Sequence, residues 1–238
     1  MAGETVKTEA VCLRIVPWSR TSHVVSWLTP FGRVATVVKG AARPKSAFLG
    51  QYDLNYTCEI VYYSRAKGEL HALRECSPLS TRENLRSNYR ALVLAEYMRT
   101  QVEALAPHGG ESETWHATLE DALDSLCAGA ADSPRRLVAT LLGFELEILS
   151  LSGLSPEVEA EAGSFSLRGE RQMPISQEVA HCIDNPKVEK NMQILLDAAR
   201  AIGVFYAFHL DSALETRRTV LRMISNNEEG TGKQDGQD

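Results

Sequence analysis

Near Ser77-Pro78-Leu79-Ser80 the chain changes its apolar period from two residues to three and four, and this switch restricts the fold more than any other feature. Upstream, Val11 to Val16, His23 to Leu28 and Arg33 to Val38 are rich in β-branched and aromatic residues, separated by Pro17 and by a turn at Thr29-Pro30-Phe31-Gly32. After a loop from Gly40 to Gly50, Leu54 to Tyr63 alternates as a longer strand, and Lys67-Gly68 turns it into Glu69 to Arg74. Alternating side chains point to opposite faces, so five such segments in about 65 residues predict a small closed sheet with one face inward.

Downstream, Leu85, Tyr89, Leu92, Ala95, Met98 and Val102 recur at helical spacing, with Thr81 as the expected cap. Further helices are expected at Thr114 to Cys127, Pro134 to Leu151 with Ser133 as cap and Gly153 as stop, Pro186 to Leu210, and Ser212 to Ile224. Ser152 to Pro174, rich in Glu, Gly and Ser, reads as a long loop or hairpin outside the core. The expected class is therefore α+β: a barrel domain over 1–79, then a helical domain over 80–224 with a loop insertion near 152–174. Residues 225–238 carry no apolar side chain and read as a disordered tail. With no flexible linker at the switch, the two domains are expected to share an interface.

Charge is distributed unevenly. The net charge is −6, yet Met1 to Ser80 hold ten Lys and Arg against six Asp and Glu, a balance of +4, leaving fifteen against twenty-five, or −10, for the rest. A nucleic-acid surface is thus compatible with the first part only. No apolar run approaches the roughly 18 to 20 residues of a membrane span, and Met1 to Glu9 lack a signal core, so a cytosolic protein without a membrane role is expected. The five cysteines are odd in number, scattered and without a CxxC pair, and read as reduced, mostly buried thiols.

The cations concentrate in Gly32 to Ser46, where Arg33, Lys39, Arg43 and Lys45 occur with no acid. A strand delivers Lys39 into a Gly40-Ala41-Ala42 turn small enough for a phosphate backbone to approach, and Arg43 and Lys45 follow two residues apart. Alternation puts Trp27 in the core and leaves Trp18 and Phe48 as the better base-stacking candidates. No catalytic constellation is found: there is no Walker loop, GxSxG or HExxH, and the six histidines are isolated. At the carboxy-terminal end an apolar set that includes Phe205 and Phe208 lies next to Arg217, Arg218 and Arg222, which suits either core packing or an arginine-rimmed groove for an acidic peptide.

Pro17-Trp18-Ser19-Arg20-Thr21-Ser22, then Thr29-Pro30-Phe31-Gly32-Arg33, then Lys39-Gly40-Ala41-Ala42-Arg43-Pro44-Lys45-Ser46 resemble in order and spacing the amino-terminal signature of the RecO family of recombination mediators. Weaker similarity continues through Phe144-Glu145, Gly153 and Pro156 to Leu214-Glu215-Thr216-Arg217. The resemblance implies a five-stranded barrel of the OB type ahead of an all-helical domain, in a non-enzymatic bacterial DNA repair protein of the cytoplasm and nucleoid. It implies binding of single- and double-stranded DNA, strand annealing, and help in loading recombinase, with RecR and the carboxy-terminal tail of single-strand-binding protein as partners. The implied DNA-binding set is Trp18, Arg20, Arg33, Lys39, Arg43, Lys45 and Phe48; the implied partner-binding set is Arg135, Phe205, Phe208, Arg217 and Arg218. Two places depart from the family. Where members carry the first CxxC zinc pair stand Glu161 and Ser164, so no metal and no cofactor are expected. Where members carry arginine just before Phe-Glu stands Gly143, and Arg135, about two turns upstream, is the substitute.

Two other function classes compete. An interaction adaptor would use the acidic helical domain and bind no DNA, whereas the clustered cations of Gly32 to Ser46 favour a nucleic-acid binder. A hydrolase or transferase would need a nucleophile and base that no motif supplies.

Overall fold

The computed structural model describes residues 4–64, 70–110, 112–129, 133–161, 164–168, 173–210 and 214–225. Strands β1 (Thr5–Ser19), β2 (Ser22–Thr29), β3 (Gly32–Val38), β4 (Thr57–Tyr63) and β5 (Leu70–Ser80) close a barrel of the OB type in the order β1-β2-β3-β5-β4. All neighbours are antiparallel except β3 and β5. Closure depends on the length of β1, whose Thr5–Val11 half pairs with β4 and whose Val11–Ser19 half pairs with β2.

That strand runs through Pro17, where the alternation predicted a stop. Beyond Val11 β1 has only β2 beside it, and the register slips between Pro17 and Ser19, so the missing proline N–H interrupts no ladder. β4 begins at Thr57 rather than Leu54, because Asn55 is left-handed (φ 65°) and the Tyr56 N–H closes a turn on the Asp53 carbonyl at 3.1 Å. The expected Lys67-Gly68 turn lies outside the described residues.

The inner barrel face buries Ala10, Cys12, Val25, Trp27, Val38 and Ile60, and the Trp27 Nε1–H donates to Thr36 Oγ1 at 2.8 Å, which satisfies the indole without water. Burial pushes the Cys12 thiol well above its ordinary value, and a hydrogen bond with Cys76 followed by burial does the same to Cys58. Part of the outer face of β1 and β2 is covered by the helices. Val11, Leu13 and Leu28 join the core of the helical part, so the two parts share apolar surface and pack as neighbours without a linker.

Helices α1 (Asn84–Ser87) and α2 (Tyr89–Leu105) replace one expected helix; the extended residue Asn88 breaks them and caps α2 by accepting from the Ala91 N–H at 3.1 Å. The expected cap, Thr81, precedes a left-handed Arg82 (φ 48°), which turns the chain out of β5. Helices α3 (Glu113–Cys127) and α4 (Pro134–Leu151) lie where the periodicity placed them. Ser152–Pro174 contributes to an antiparallel sheet, β6 (Glu157–Glu161), β7 (Ser164–Arg168) and β8 (Met173–Ile175), which buries Leu167 against the helical core; a short alternation in β7 is enough to hold one face down. The helix expected from Pro186 starts only at Met192: α5 (Gln177–Asp184), which the periodicity did not predict, ends before the proline, and α6 (Met192–Leu210) begins once the Asn191 side chain accepts from the Gln193 N–H. Helix α7 (Leu214–Ser225) closes the fold, and the acidic tail beyond it lies outside the described residues. Among the described residues no helix is long and apolar enough to cross a membrane.

Two polar joints fasten the barrel to the helices. At the β2–β3 turn the Arg33 N–H donates to the Pro107 carbonyl at 3.1 Å and the Ser112 N–H to the Pro30 carbonyl at 3.0 Å, while Gly32 (φ 111°) sits so close that a Cβ there would overlap the Gly109 backbone. At the other joint the buried Arg82 guanidinium donates to Asp124 at 2.7 Å and to the Asn55 carbonyl and Thr57 hydroxyl at 2.8 Å each. A charge this deeply buried is stable only because each face of its fork finds an acceptor.

Candidate nucleic-acid interface

Strand register gathers the cations. Pro17 faces His23 and His23 faces Val38, so Trp18 and Lys39 each stand one residue beyond the same cross-sheet row. The hairpin tip between Ser19 and Ser22 adds Arg20. The loop after β3 then folds onto this tip: the Gly40 N–H donates to Ser22 Oγ at 3.3 Å and the Ala42 N–H to the Thr21 carbonyl at 3.2 Å. Left-handed Gly40 (φ 70°) makes the first turn, closed by the Arg43 N–H on its carbonyl at 3.1 Å, and the Arg43 side chain lies back across it.

The far end of the loop is tied into the barrel. Tyr52 hydroxyl meets His23 Nδ1 at 2.8 Å, and its ring stands edge-on to Trp27 with centroids 6.0 Å apart. Cys58 and Cys76 thiols donate to the Gln51 carbonyl at 3.5 and 3.6 Å. Two ends so held leave the middle exposed with Arg43 and Lys45 on it. Arg20, Lys39, Arg43 and Lys45 are all exposed, and none of the ion pairs formed among the described residues uses them. Four cations with no carboxylate to neutralise them, on a rim with an exposed indole, can bind a polyanion by displacing its counterions.

Two residues of the expected DNA-binding set lie elsewhere. Arg33, at the opposite end of β3, turns inward; its Nη1 donates to the Glu103 carbonyl, and desolvation lowers its pKa despite the Glu103 charge nearby. It secures the barrel to α2, away from the end of the strand that carries Lys39. Phe48 is half-buried against the barrel core and steadies the loop from beneath.

The expected partner-binding set does not converge either. Arg217 is 3 % exposed and forms a two-pronged ion pair with Glu145, itself fully buried, at 2.7 Å for each prong, while its Nη2 also donates to the Ala199 carbonyl. Gly203 leaves the space: a Cβ there would overlap the guanidinium. Phe205 is packed in the same core, whereas Phe208 and Arg218 are exposed. Arg135 is engaged at the start of α4, donating to the Glu189 carbonyl at 2.7 Å and holding the α5–α6 loop. The places that the resemblance assigned to a zinc pair, Glu161 and Ser164, face each other at the end of the β6–β7 hairpin. Among the described residues no group of His, Cys, Asp and Glu is arranged to hold a metal ion.

One feature escaped the sequence reading. A cleft of about 890 Å³ opens between the Asp53–Tyr56 turn, α1, α2 and α7, with Tyr89, Leu92, Val93 and Met223 in its walls. Tyr89 and Leu92 broke no helical periodicity, and nothing local distinguished them from core residues.

The family model described as "Recombination protein O N terminal" matches residues 1–82, which spans the barrel. Over longer stretches the chain is similar to proteins named "DNA repair protein RecO". That of Roseiflexus sp. (strain RS-1) is 29 % identical over 159 residues, 66 % of this chain and 53 % of that protein. That of Rhodopirellula baltica is 32 % identical over 158 residues, 63 % of this chain and 54 % of that protein. That of Prosthecochloris aestuarii is 27 % identical over 177 residues, 68 % of this chain and 66 % of that protein. The matched region thus spans about half the length of the first two relatives. The barrel thus matches the amino-terminal family model of recombination protein O, and proteins named DNA repair protein RecO continue the likeness into the helices.

Proposed function

We propose that this protein is a DNA repair and recombination mediator that acts by binding and without catalysis, in the bacterial cytoplasm at the nucleoid. It holds single- and double-stranded DNA, anneals complementary strands and assists recombinase loading onto strands coated with single-strand-binding protein. The names of its relatives, DNA repair protein RecO, support the biological setting. The observation that carries the reading is the rim of Arg20, Lys39, Arg43 and Lys45, unneutralised on a chain of net charge −6. RecR and the acidic tail of single-strand-binding protein are the proposed partners; of the expected tail-binding residues, Phe208 and Arg218 are the ones at the surface.

Phosphate neutralisation releases condensed counterions, so affinity falls with salt in proportion to the contacts made. Fluorescence anisotropy of a labelled single strand over a salt series tests this with three proteins: native, a Lys39→Ala, Arg43→Ala, Lys45→Ala variant, and Arg33→Ala. The triple variant is expected to lose affinity and about 2 units of the log–log salt slope, at roughly 0.7 per phosphate contact. Arg33→Ala is expected to keep the native slope. Native protein that fails to bind at low salt would remove the reading. The cleft lined by Tyr89 and Leu92 favours a second reading, an interaction adaptor that works through its helical part, and that reading predicts no binding in the same titration.

A further inference from the structure

We infer that Trp18 is the residue by which this rim distinguishes unpaired from paired strands; the inference rests on the nucleic-acid reading above and deepens it. Of the three tryptophans, Trp27 and Trp115 are buried, while Trp18 is 65 % exposed. A lone exposed aromatic says little by itself, because apolar side chains are common on protein surfaces. Its place says more. The Pro17–His23–Val38 row sets Trp18 two strands from Lys39, about 10 Å across the sheet. Arg20 follows it at the hairpin tip, and Thr21 and Ser22 hold the Gly40 turn against that tip through the two hydrogen bonds described above.

Two aromatics near this rim are committed inward. Phe48 and Tyr52 pack on the barrel core, and Tyr52 is held between His23 and Trp27. Phe31, also exposed, belongs to the β2–β3 turn at the opposite end, beside Arg33 and the joint to the helices. Tyr63, in register with Val37 through Ala72, is half-buried with the Arg74 guanidinium over its ring, so among the described aromatics of this rim Trp18 is the one most open to a ligand.

The two kinds of group on the rim respond to different parts of a strand. Lysine and arginine meet phosphates, which single strands and duplexes both present. An indole face needs a base face, and in a duplex the base faces are covered by their neighbours and only the edges are open. The cations therefore set affinity for both forms, and Trp18 adds to one.

Trp18→Ala and Trp18→Phe are compared with native protein against an oligothymidine and a duplex of equal length, by anisotropy over a salt series and by tryptophan emission. Trp18→Ala is expected to weaken single-strand binding by roughly five- to hundredfold, the range of one lost base stack. Duplex affinity and both salt slopes are expected to stay within about twofold of native, since the phosphate contacts are untouched. Trp18→Phe restores most of the single-strand affinity, and oligothymidine quenches native emission but not that of Trp18→Ala. Equal losses for both substrates, or no loss for either, overturn the inference while leaving nucleic-acid binding in place. Native protein that binds neither substrate instead defeats the underlying reading, and the inference with it.

Discussion

Replacing Arg217 by methionine removes the cation from the most deeply buried ion pair among the described residues. Glu145 is fully buried, and its two oxygens accept from Arg217 Nε and Nη2 at 2.7 Å each; its Oε1 also accepts from the Tyr97 hydroxyl at 2.7 Å. The Tyr97 phenol is pushed well up, first by burial and then by the Glu145 charge, so it stays a donor. Without the guanidinium the carboxylate keeps one hydrogen bond and no counter-charge. Breaking such a pair from one side costs about 3 to 5 kcal/mol, a large part of the roughly 5 to 15 kcal/mol that holds a domain folded. In a chain of this size that is a melting-temperature fall of roughly 6 to 20 °C. Urea unfolding followed by far-ultraviolet circular dichroism measures the loss directly. The double variant Glu145→Gln, Arg217→Met leaves no buried charge and is expected to recover at least half of it. A single-variant cost under about 1 kcal/mol, or a double variant no better than the single, would refute the assignment of Arg217 to the core.

Gly32→Ala must both hold φ at 111° with a Cβ and push that Cβ into the Gly109 backbone, so it should cost at least about 1 to 3 kcal/mol in the same urea assay and loosen hydrogen-exchange protection at Arg33 and Ser112. Measured stability within about 0.5 kcal/mol of native would mean that the joint is not tight. His116 has its pKa lowered by burial, partly opposed by Glu120, while its Nε2 has no hydrogen-bond partner. The folded state therefore favours the neutral imidazole, and this contribution is fully present above the unfolded pKa of about 6.5 and is lost as pH falls through the lower folded value. Urea midpoints between pH 7.5 and 5.5 should fall more steeply for native protein than for His116→Gln; parallel slopes would exclude His116 as the source.

The alternation of Val11 to Val38 and the helical spacing after Leu85 suffice to place a barrel ahead of a bundle, because both patterns are local consequences of which side chains must face away from water. The Gly-Ala-Ala turn with its flanking cations was legible for the same reason, since its shape depends on Gly40 and its charge on residues a few positions away. Element ends were less legible. Pro17 looks like a stop until the pairing partner of β1 changes at Val11, and Asn88 divides a continuous helical pattern only because its side chain caps the second half.

The fate of each cation lay beyond local pattern. Arg33 and Lys39 belong to one strand-and-loop run, six positions apart, with similar neighbours; one ends against the Glu103 carbonyl and the other in solvent, because α2 covers only one end of the barrel. Arg217 and Arg218 are adjacent, yet one is sealed against Glu145 from 72 positions away and the other faces outward. Hydrophobic period and turn chemistry act over three or four residues, and those the chain alone determines. Whether a charge meets a carboxylate, a carbonyl or water depends on groups distant in sequence, and only the packing of barrel against helices decides it.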